Sequence, residues 1–157
     1  MASINDVAAY ILDKRGPMSA MKMQKLCYYA YGYHLAWEER PLFPEWFEAW
    51  ANGPVSPPLY RCHRGRFQLE AGDIPGDPSN LDAGERESVD LVLEALDKYS
   101  AHQLSTMTHN EAPWVNARER AGAALLERSD EELLDTEIFE FFDALTAANA
   151  DAAEEEI

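Results

Sequence analysis

The sequence has 157 residues, a hydrophobic content of 46% and a net charge of −16. This length favours one domain with its own core. The charge is uneven: residues 1–80 carry eight Lys/Arg and nine Asp/Glu, whereas residues 81–157 carry five and twenty. An acidic half repels phosphate backbones, which argues against direct nucleic-acid binding. It either attracts a basic partner protein or only keeps the chain soluble.

Membrane and secretion signals are missing from the sequence. It contains no run of 18 apolar residues and no charged N-terminal segment followed by an apolar one. We therefore expect neither a membrane span nor a secretory signal. The two cysteines, Cys27 and Cys62, are too few for a disulfide framework, which favours a cytoplasmic location.

Two helices are predicted in the first 40 residues. Ser3 and Asp6 form a capping-box pattern that begins a first helix, and Gly16-Pro17 ends it. Ser19 then caps a central helix that runs to about Trp37 and is apolar nearly all round, so other elements should pack on it from several directions. A glycine in its middle, Gly32, costs about 1 kcal/mol against alanine and suggests the close approach of another backbone.

Residues 42–60, the aromatic segment, are interrupted by prolines and rich in Trp, Phe and Tyr. Residues 46–51 are predicted to form a short extended or β segment. Asn52-Gly53-Pro54 is a turn, and Ser56-Pro57 can open a short helix through about Cys62. This composition predicts a segment that packs on the central helix.

The later elements are helical. Asp82 and Glu85 form a second capping box before a helix to about Tyr99, and residues 100–108 form a short helix. Residues 115–126 are weakly patterned as a helix, and a last helix precedes an alanine-rich end. We predict a mainly α, single-domain helical bundle around the central helix, with the domain at residues 1–148 and an acidic, frayed tail at 149–157.

Candidates for catalysis do not assemble into a motif. The four histidines lack metal-binding spacing, no CxxC exists, and Cys62-His63 and Ser105 with His109 fit no nucleophile pattern. Glu45 and Glu48 can pair as acid and base, but any surface strand can present such a pair. We predict no enzymatic activity, no catalytic or metal residue and no cofactor.

Two groups of side chains have a structural and a functional interpretation. The aromatic stripe of Trp46, Trp50, Tyr60 and Trp114 is either core packing or a partly exposed anchor set for another protein. Lys22 and Lys25, one turn apart, are either exposed charges or partners of carboxylates such as Glu48.

Three stretches resemble one known family. Residues 23–30 (MQKLCYYA) resemble its lysine-leucine-x-tyrosine-tyrosine helix, residues 47–60 (FEAWANGPVSPPLY) its AWxxGPVxPxLY signature, and residues 108–114 (THNEAPW) its C-terminal PW motif. On these motifs the sequence resembles the Panacea antitoxin domain family, which includes the SocA-like antitoxins, over about residues 4–145. Asn52 replaces a common aromatic, and Val115 a common basic residue.

The resemblance implies a helical domain encoded beside a toxin in bacteria, prophages or phages. Members neutralise a cognate toxin in a direct protein complex, and SocA-like members can deliver the toxin to an ATP-dependent protease such as ClpXP. Several paired toxins are alarmone-synthetase-like enzymes that act on nucleotides or tRNA. An unrecognised hydrolase and a phage accessory domain with a purely structural signature remain alternatives.

The resemblance and the aromatic stripe together define the predicted site. The partner-binding or signature residues are Lys22, Lys25, Tyr29, Trp46, Glu48, Trp50, Gly53, Pro54, Tyr60 and Trp114.

Overall fold

The computed structural model describes residues 1–155 and confirms a mainly α single domain. The described chain contains seven α-helices and two pairs of short strands. In order they are α1 Ile4–Arg15, β1 Met18–Ser19, α2 Ala20–Glu38, β2 Glu48–Trp50, β3 Gly53–Val55, α3 Pro57–His63, β4 Gln68–Leu69, α4 Ala83–Leu96, α5 Ala101–Thr108, α6 Ala112–Ala121 and α7 Asp135–Glu155. A 3₁₀ turn, Pro78–Asn80, precedes α4.

Helix α2 is the centre of the bundle, as predicted. It contacts α1, α3, α4, α5 and α7, and every residue from Met23 to Gly32 is buried. Because these helices surround α2, its apolar side chains are buried on all sides. His34 is a hydrogen-bonded core residue, with its Nδ1 atom 2.8 Å from Ser88 Oγ.

The group that lies close to Gly32 is a side chain and not a backbone. A Cβ atom at this position would lie 2.2 Å from Cε2 of Phe142 on α7. The expectation of a close backbone is therefore wrong, and the missing side chain of Gly32 makes room for an aromatic ring. Phe142 also packs edge-on against Tyr28 and Tyr29.

The predicted helix starts follow local capping chemistry. Reciprocal capping boxes join Ser3 with Asp6 and Asp82 with Glu85, and Ser19 caps α2 by accepting a hydrogen bond from the Lys22 amide. Each cap satisfies backbone N–H groups that the first helical turn leaves unpaired.

The extended segment predicted near residues 46–51 is strand β2. It pairs antiparallel with β3, with Trp50 opposite Gly53. A distant segment extends this pairing on the other side: Ala49 N–H donates to Glu131 O at 2.8 Å, and Leu133 N–H donates to Phe47 O at 2.9 Å. Strands β1 and β4 form a second antiparallel pair, which periodicity did not reveal.

Two boundaries near the C-terminus differ from expectation. Helix α6 ends at Ala121 and not near residue 126, because Gly122 adopts a left-handed conformation (φ 64°) that terminates it. Helix α7 continues to Glu155, across the proposed domain boundary at residue 148. The proposed boundary itself stays a prediction, and the last two residues of the proposed tail lie outside the described residues. Within residues 1–155, no helix is both long enough and apolar enough to cross a bilayer.

Candidate partner-binding site

Two neighbouring side chains of α2 hold the turn of the aromatic segment. The Gln24 amide pairs with the backbone of Ser56: its Oε1 accepts from Ser56 N–H at 2.8 Å, and its Nε2 donates to Ser56 O at 3.2 Å. Lys25 Nζ donates to Pro54 O at 3.0 Å. All of these groups are buried, so the hydrogen bonds replace lost hydration and fix the turn on α2.

Gly53 is needed for this arrangement. Its φ of 115° is a conformation that residues with side chains rarely adopt. A Cβ atom at this position would also lie 2.8 Å from both Lys25 Cε and Thr108 Oγ1. The Gly-Pro pair of the signature therefore allows the backbone to approach the Lys25 side chain.

The two predicted lysines have different environments. Lys25 is fully buried, and burial lowers its pKa to about 7. Lys22 Nζ lies 3.3 Å from an Asp97 carboxylate oxygen and donates to the Asp97 backbone carbonyl at 2.6 Å. Pairing with a carboxylate is therefore correct for Lys22, but pairing with Glu48 is wrong for both lysines, and the expectation of freely exposed charges is wrong as well.

Trp46 and Trp50 are two partly exposed side chains, here called the indole pair, and both contact Glu48. The Glu48 carboxylate accepts hydrogen bonds from both indole N–H groups, each at 3.0 Å. Trp46 is 38% exposed and Trp50 is half-buried. The ring of Tyr60 packs edge-on against Trp50 with centroids 5.0 Å apart. Glu48 therefore holds two large aromatic side chains in fixed orientations at the surface.

Trp114 belongs to the core instead. It is only 6% exposed, and its indole N–H donates to Trp50 O at 2.9 Å. The His109 ring stacks on it at a centroid distance of 4.2 Å. The aromatic stripe therefore divides: Trp114 supports strand β2 from inside, while the indole pair reaches the surface.

Tyr29 is also internal and contacts a buried acid. Its hydroxyl donates to Glu111 Oε2 at 2.9 Å, while Glu111 Oε1 has no hydrogen-bond partner among the described residues. Burial raises the pKa of Glu111 to about 7, although the Tyr29 hydrogen bond acts in the opposite direction. Glu111 was not among the predicted site residues, since sequence alone does not reveal its burial.

Glu111→Gln should remove a pH-dependent cost. An acid whose pKa is raised from 4.5 to about 7 stays protonated in the folded protein while the unfolded chain ionises. The contribution of Glu111 to stability is complete below pH 4.5 and is lost as the pH rises through 7. The free energy of unfolding of the wild type should therefore fall by about 3 kcal/mol relative to that of the Gln variant over this interval. Denaturant unfolding of both proteins at several pH values measures this difference.

Glu119→Gln on α6 is the control, because Glu119 is exposed. It removes a carboxylate at the surface instead of in the core. If the stability difference between wild type and Glu111→Gln did not change with pH, Glu111 would not be protonated in the fold.

The 122–134 segment was missed as part of this surface. Arg128, Ser129 and Asp130 line a cavity of about 470 Å³ together with Glu48 and Trp50. Beyond it, Leu125 and Leu126 are 78% and 70% exposed, and Leu126 adopts a left-handed φ of 67°. Two adjacent leucines directly before the polar run at residues 127–132 were the available sequence signal.

The candidate catalytic residues make other contacts. Ser105 Oγ donates to Asn52 O, and His63 Nε2 lies 3.0 Å from Gln24 Nε2. Glu45 accepts from the Ile4 amide, whereas Glu48 accepts from the indoles. Residues 1–155 contain no group of three or more His, Cys, Asp or Glu side chains placed to hold a metal ion.

Fold and site together define a small helical domain that carries a rigid, partly exposed aromatic surface. The chain belongs to the family described as antitoxin SocA-like, Panacea domain, whose model matches residues 23–115. It is 33% identical over 126 residues to the antitoxin SocA of Caulobacter vibrioides (strain NA1000 / CB15N). That alignment covers 69% of this chain and 66% of the relative, slightly less than two thirds of its length. No solved structure matches the chain.

Proposed function

We propose that this chain is an antitoxin that neutralises a cognate toxin by direct protein–protein binding through the indole pair. Family membership supports the general role, since the similar Caulobacter protein is named an antitoxin. The observation that carries the proposal is the fixing of Trp46 and Trp50 by one carboxylate at the surface. Tryptophan is among the residues that contribute most to protein interfaces.

Preorganisation is the physical advantage of this arrangement. A side chain that is already held in one orientation loses less conformational entropy when a partner covers it. Glu48 orients both indoles before binding, and Trp114 holds the backbone of Trp50 from below. The indole pair therefore suits a partner that buries both rings.

The surroundings of the indole pair favour a basic partner. Asp130 and Glu132 are exposed beside one basic residue, Arg128, and Glu132 forms an isolated β-bridge with Glu48. Residues 81–157 carry fifteen more acidic than basic groups, from twenty Asp/Glu and five Lys/Arg. Complementary charge increases association rates. A toxin that binds nucleotides or tRNA, such as an alarmone-synthetase-like enzyme, would present such a basic surface.

Trp46→Ala should weaken toxin binding by about 30-fold, which corresponds to a hot-spot loss of about 2 kcal/mol. The measurement is the dissociation constant for the protein encoded by the neighbouring reading frame, together with rescue of growth on co-expression. Because Trp46 is already 38% exposed, the thermal unfolding midpoint should change little.

Trp37→Ala is the matched control, since Trp37 is 40% exposed but lies near the end of α2 outside the indole pair. Equal losses for both variants would contradict a specific role for the indole pair. Toxin abundance in the same cells separates capping from delivery to a protease: under the proposal, the toxin persists as an inactive complex.

A further inference from the structure

A second cavity adjoins the first and shares Met21 and Asn52 with it. Its volume is about 640 Å³, and it is bounded by the start of α2, by α3 with the chain that follows it, and by α5. Binding sites for small molecules commonly measure about 300–1,000 Å³. The cavity is therefore large enough for a small organic ligand.

The charge of this cavity is opposite to that of the protein. None of its lining residues is Asp or Glu, although the chain has 29 of them and a net charge of −16. Its lining instead includes the guanidinium groups of Arg64 and Arg66. Two permanently charged groups favour anions over neutral or cationic ligands.

The two arginines differ in whether they form an ion pair. Arg66 pairs with Asp73 at 3.0 Å, whereas Arg64 has no ion-pair partner within residues 1–155. Arg64 follows directly after α3, and its backbone N–H donates to Tyr60 O at 2.8 Å. Its guanidinium is thus attached to a well-positioned backbone and is available to a carboxylate or phosphate, which it can bind through two hydrogen bonds.

An exposed aromatic ring lies at the same cavity. Phe67 is 83% exposed, the same exposure as Met1 and the highest among the large apolar side chains of residues 1–155. Its backbone is fixed, because Phe67 O accepts from Ala20 N–H at 2.9 Å and the next residues form β4 against β1. Tyr60 adds a half-buried ring. Aromatic rings of this kind provide a stacking surface for a planar ligand group.

We propose that this cavity binds a small organic anion in which a phosphate or carboxylate is attached to an aromatic ring. Arg64, with Arg66 beside it, binds the anionic group, and Phe67 and Tyr60 contact the ring. Trp46, Glu48 and Trp50 do not line this cavity, so the proposal does not require toxin binding through the indole pair.

Titration with phenyl phosphate, benzoate and phenol tests the proposal on the full chain. Amide chemical shifts in ¹⁵N NMR at constant ionic strength should show saturable changes at residues 64–67 and 101–105 for the two anions and not for phenol. The stronger of the two anions identifies the preferred anionic group. Equal responses to phenol, or no saturable change at millimolar concentrations of either anion, would overturn the proposal.

Arg64→Gln tests the anion contact within this experiment. It should weaken binding of the preferred anion about tenfold, as expected for loss of a charge-assisted hydrogen bond. Arg61→Gln is the control, since Arg61 is exposed on α3, three residues before Arg64, and does not line the cavity. Equal weakening by both changes would indicate non-specific attraction to basic residues and would also reject the site. Phe67→Ala should weaken binding without altering the preference between the two anions.

Discussion

Replacing Gln24 with leucine is expected to lower the free energy of unfolding by about 4 kcal/mol. Leucine has a similar size but leaves the Ser56 N–H and C=O groups without their partners in a buried place. It also removes the contact between the Gln24 amide and His63 Nε2. Each buried polar group left unpaired costs about 1–3 kcal/mol, so the losses together are large for a domain of this size.

The Gln24→Leu substitution should also weaken the structure locally, around Ser56. Without Gln24, the remaining side-chain hydrogen bond from α2 to residues 53–56 is that of Lys25 to Pro54 O. Hydrogen exchange at residues 53–56 should therefore accelerate, and denaturant unfolding measures the change in stability.

Gln68→Leu provides the control, because Gln68 is exposed on β4. A surface change of this kind is expected to stay within about 0.5 kcal/mol of wild type. Similar stability losses for the two variants would contradict the role given to the Gln24–Ser56 pairing.

Gly32→Ala should destabilise the fold by about 3–4 kcal/mol, even though alanine is the better helix former. The helical preference contributes about 1 kcal/mol in favour of alanine. The new methyl group, however, would lie 2.2–2.6 Å from three atoms of the Phe142 ring. Because Phe142 is fully buried and packs against Tyr28, Tyr29 and Tyr33, the ring has little room to move.

A double-mutant cycle with Phe142→Leu separates this clash from other causes. The smaller side chain removes the ring that opposes the methyl group. The double variant should therefore be more stable than the sum of the two single losses predicts, by at least about 1 kcal/mol. Strict additivity would show that contact with Phe142 is not the cause.

Gly84→Ala is the matched glycine control. Gly84 lies in α4, where an added Cβ atom would make only an ordinary contact, 3.5 Å from Asp82 Oδ1. Alanine should therefore stabilise the protein at this position by about 0.5–1 kcal/mol. The two glycines are predicted to respond with opposite signs.

Local sequence signals predicted the elements that depend on local chemistry. The capping residues Ser3, Ser19 and Asp82 located three helix starts, and Gly53-Pro54 located the turn between β2 and β3. These signals act over a few residues, through backbone N–H groups and restricted φ angles. Helix α6 ends earlier than its apolar pattern predicts, because Gly122 in a left-handed conformation terminates it.

The sequence predicted which residues belong to the candidate site, but it did not predict how they are placed relative to one another. The sequence predicts Lys25 as either an exposed charge or a partner of a carboxylate, since lysine is seldom fully buried. In the structure Lys25 is fully buried and donates a hydrogen bond to Pro54 O, 29 residues away in the sequence. The pairing of Ala49 with Glu131 and of Leu133 with Phe47 likewise joins distant segments that carry no common pattern.

The sequence by itself determined that this chain is a mainly helical Panacea-type domain, because helical periodicity, capping residues and the family motifs are properties of neighbouring residues. The tertiary structure alone decided which signature residues are internal supports, such as Tyr29 and Trp114, and which reach the surface, such as Trp46. Burial and hydrogen bonding between distant segments make that division, and they depend on how the whole chain packs around α2.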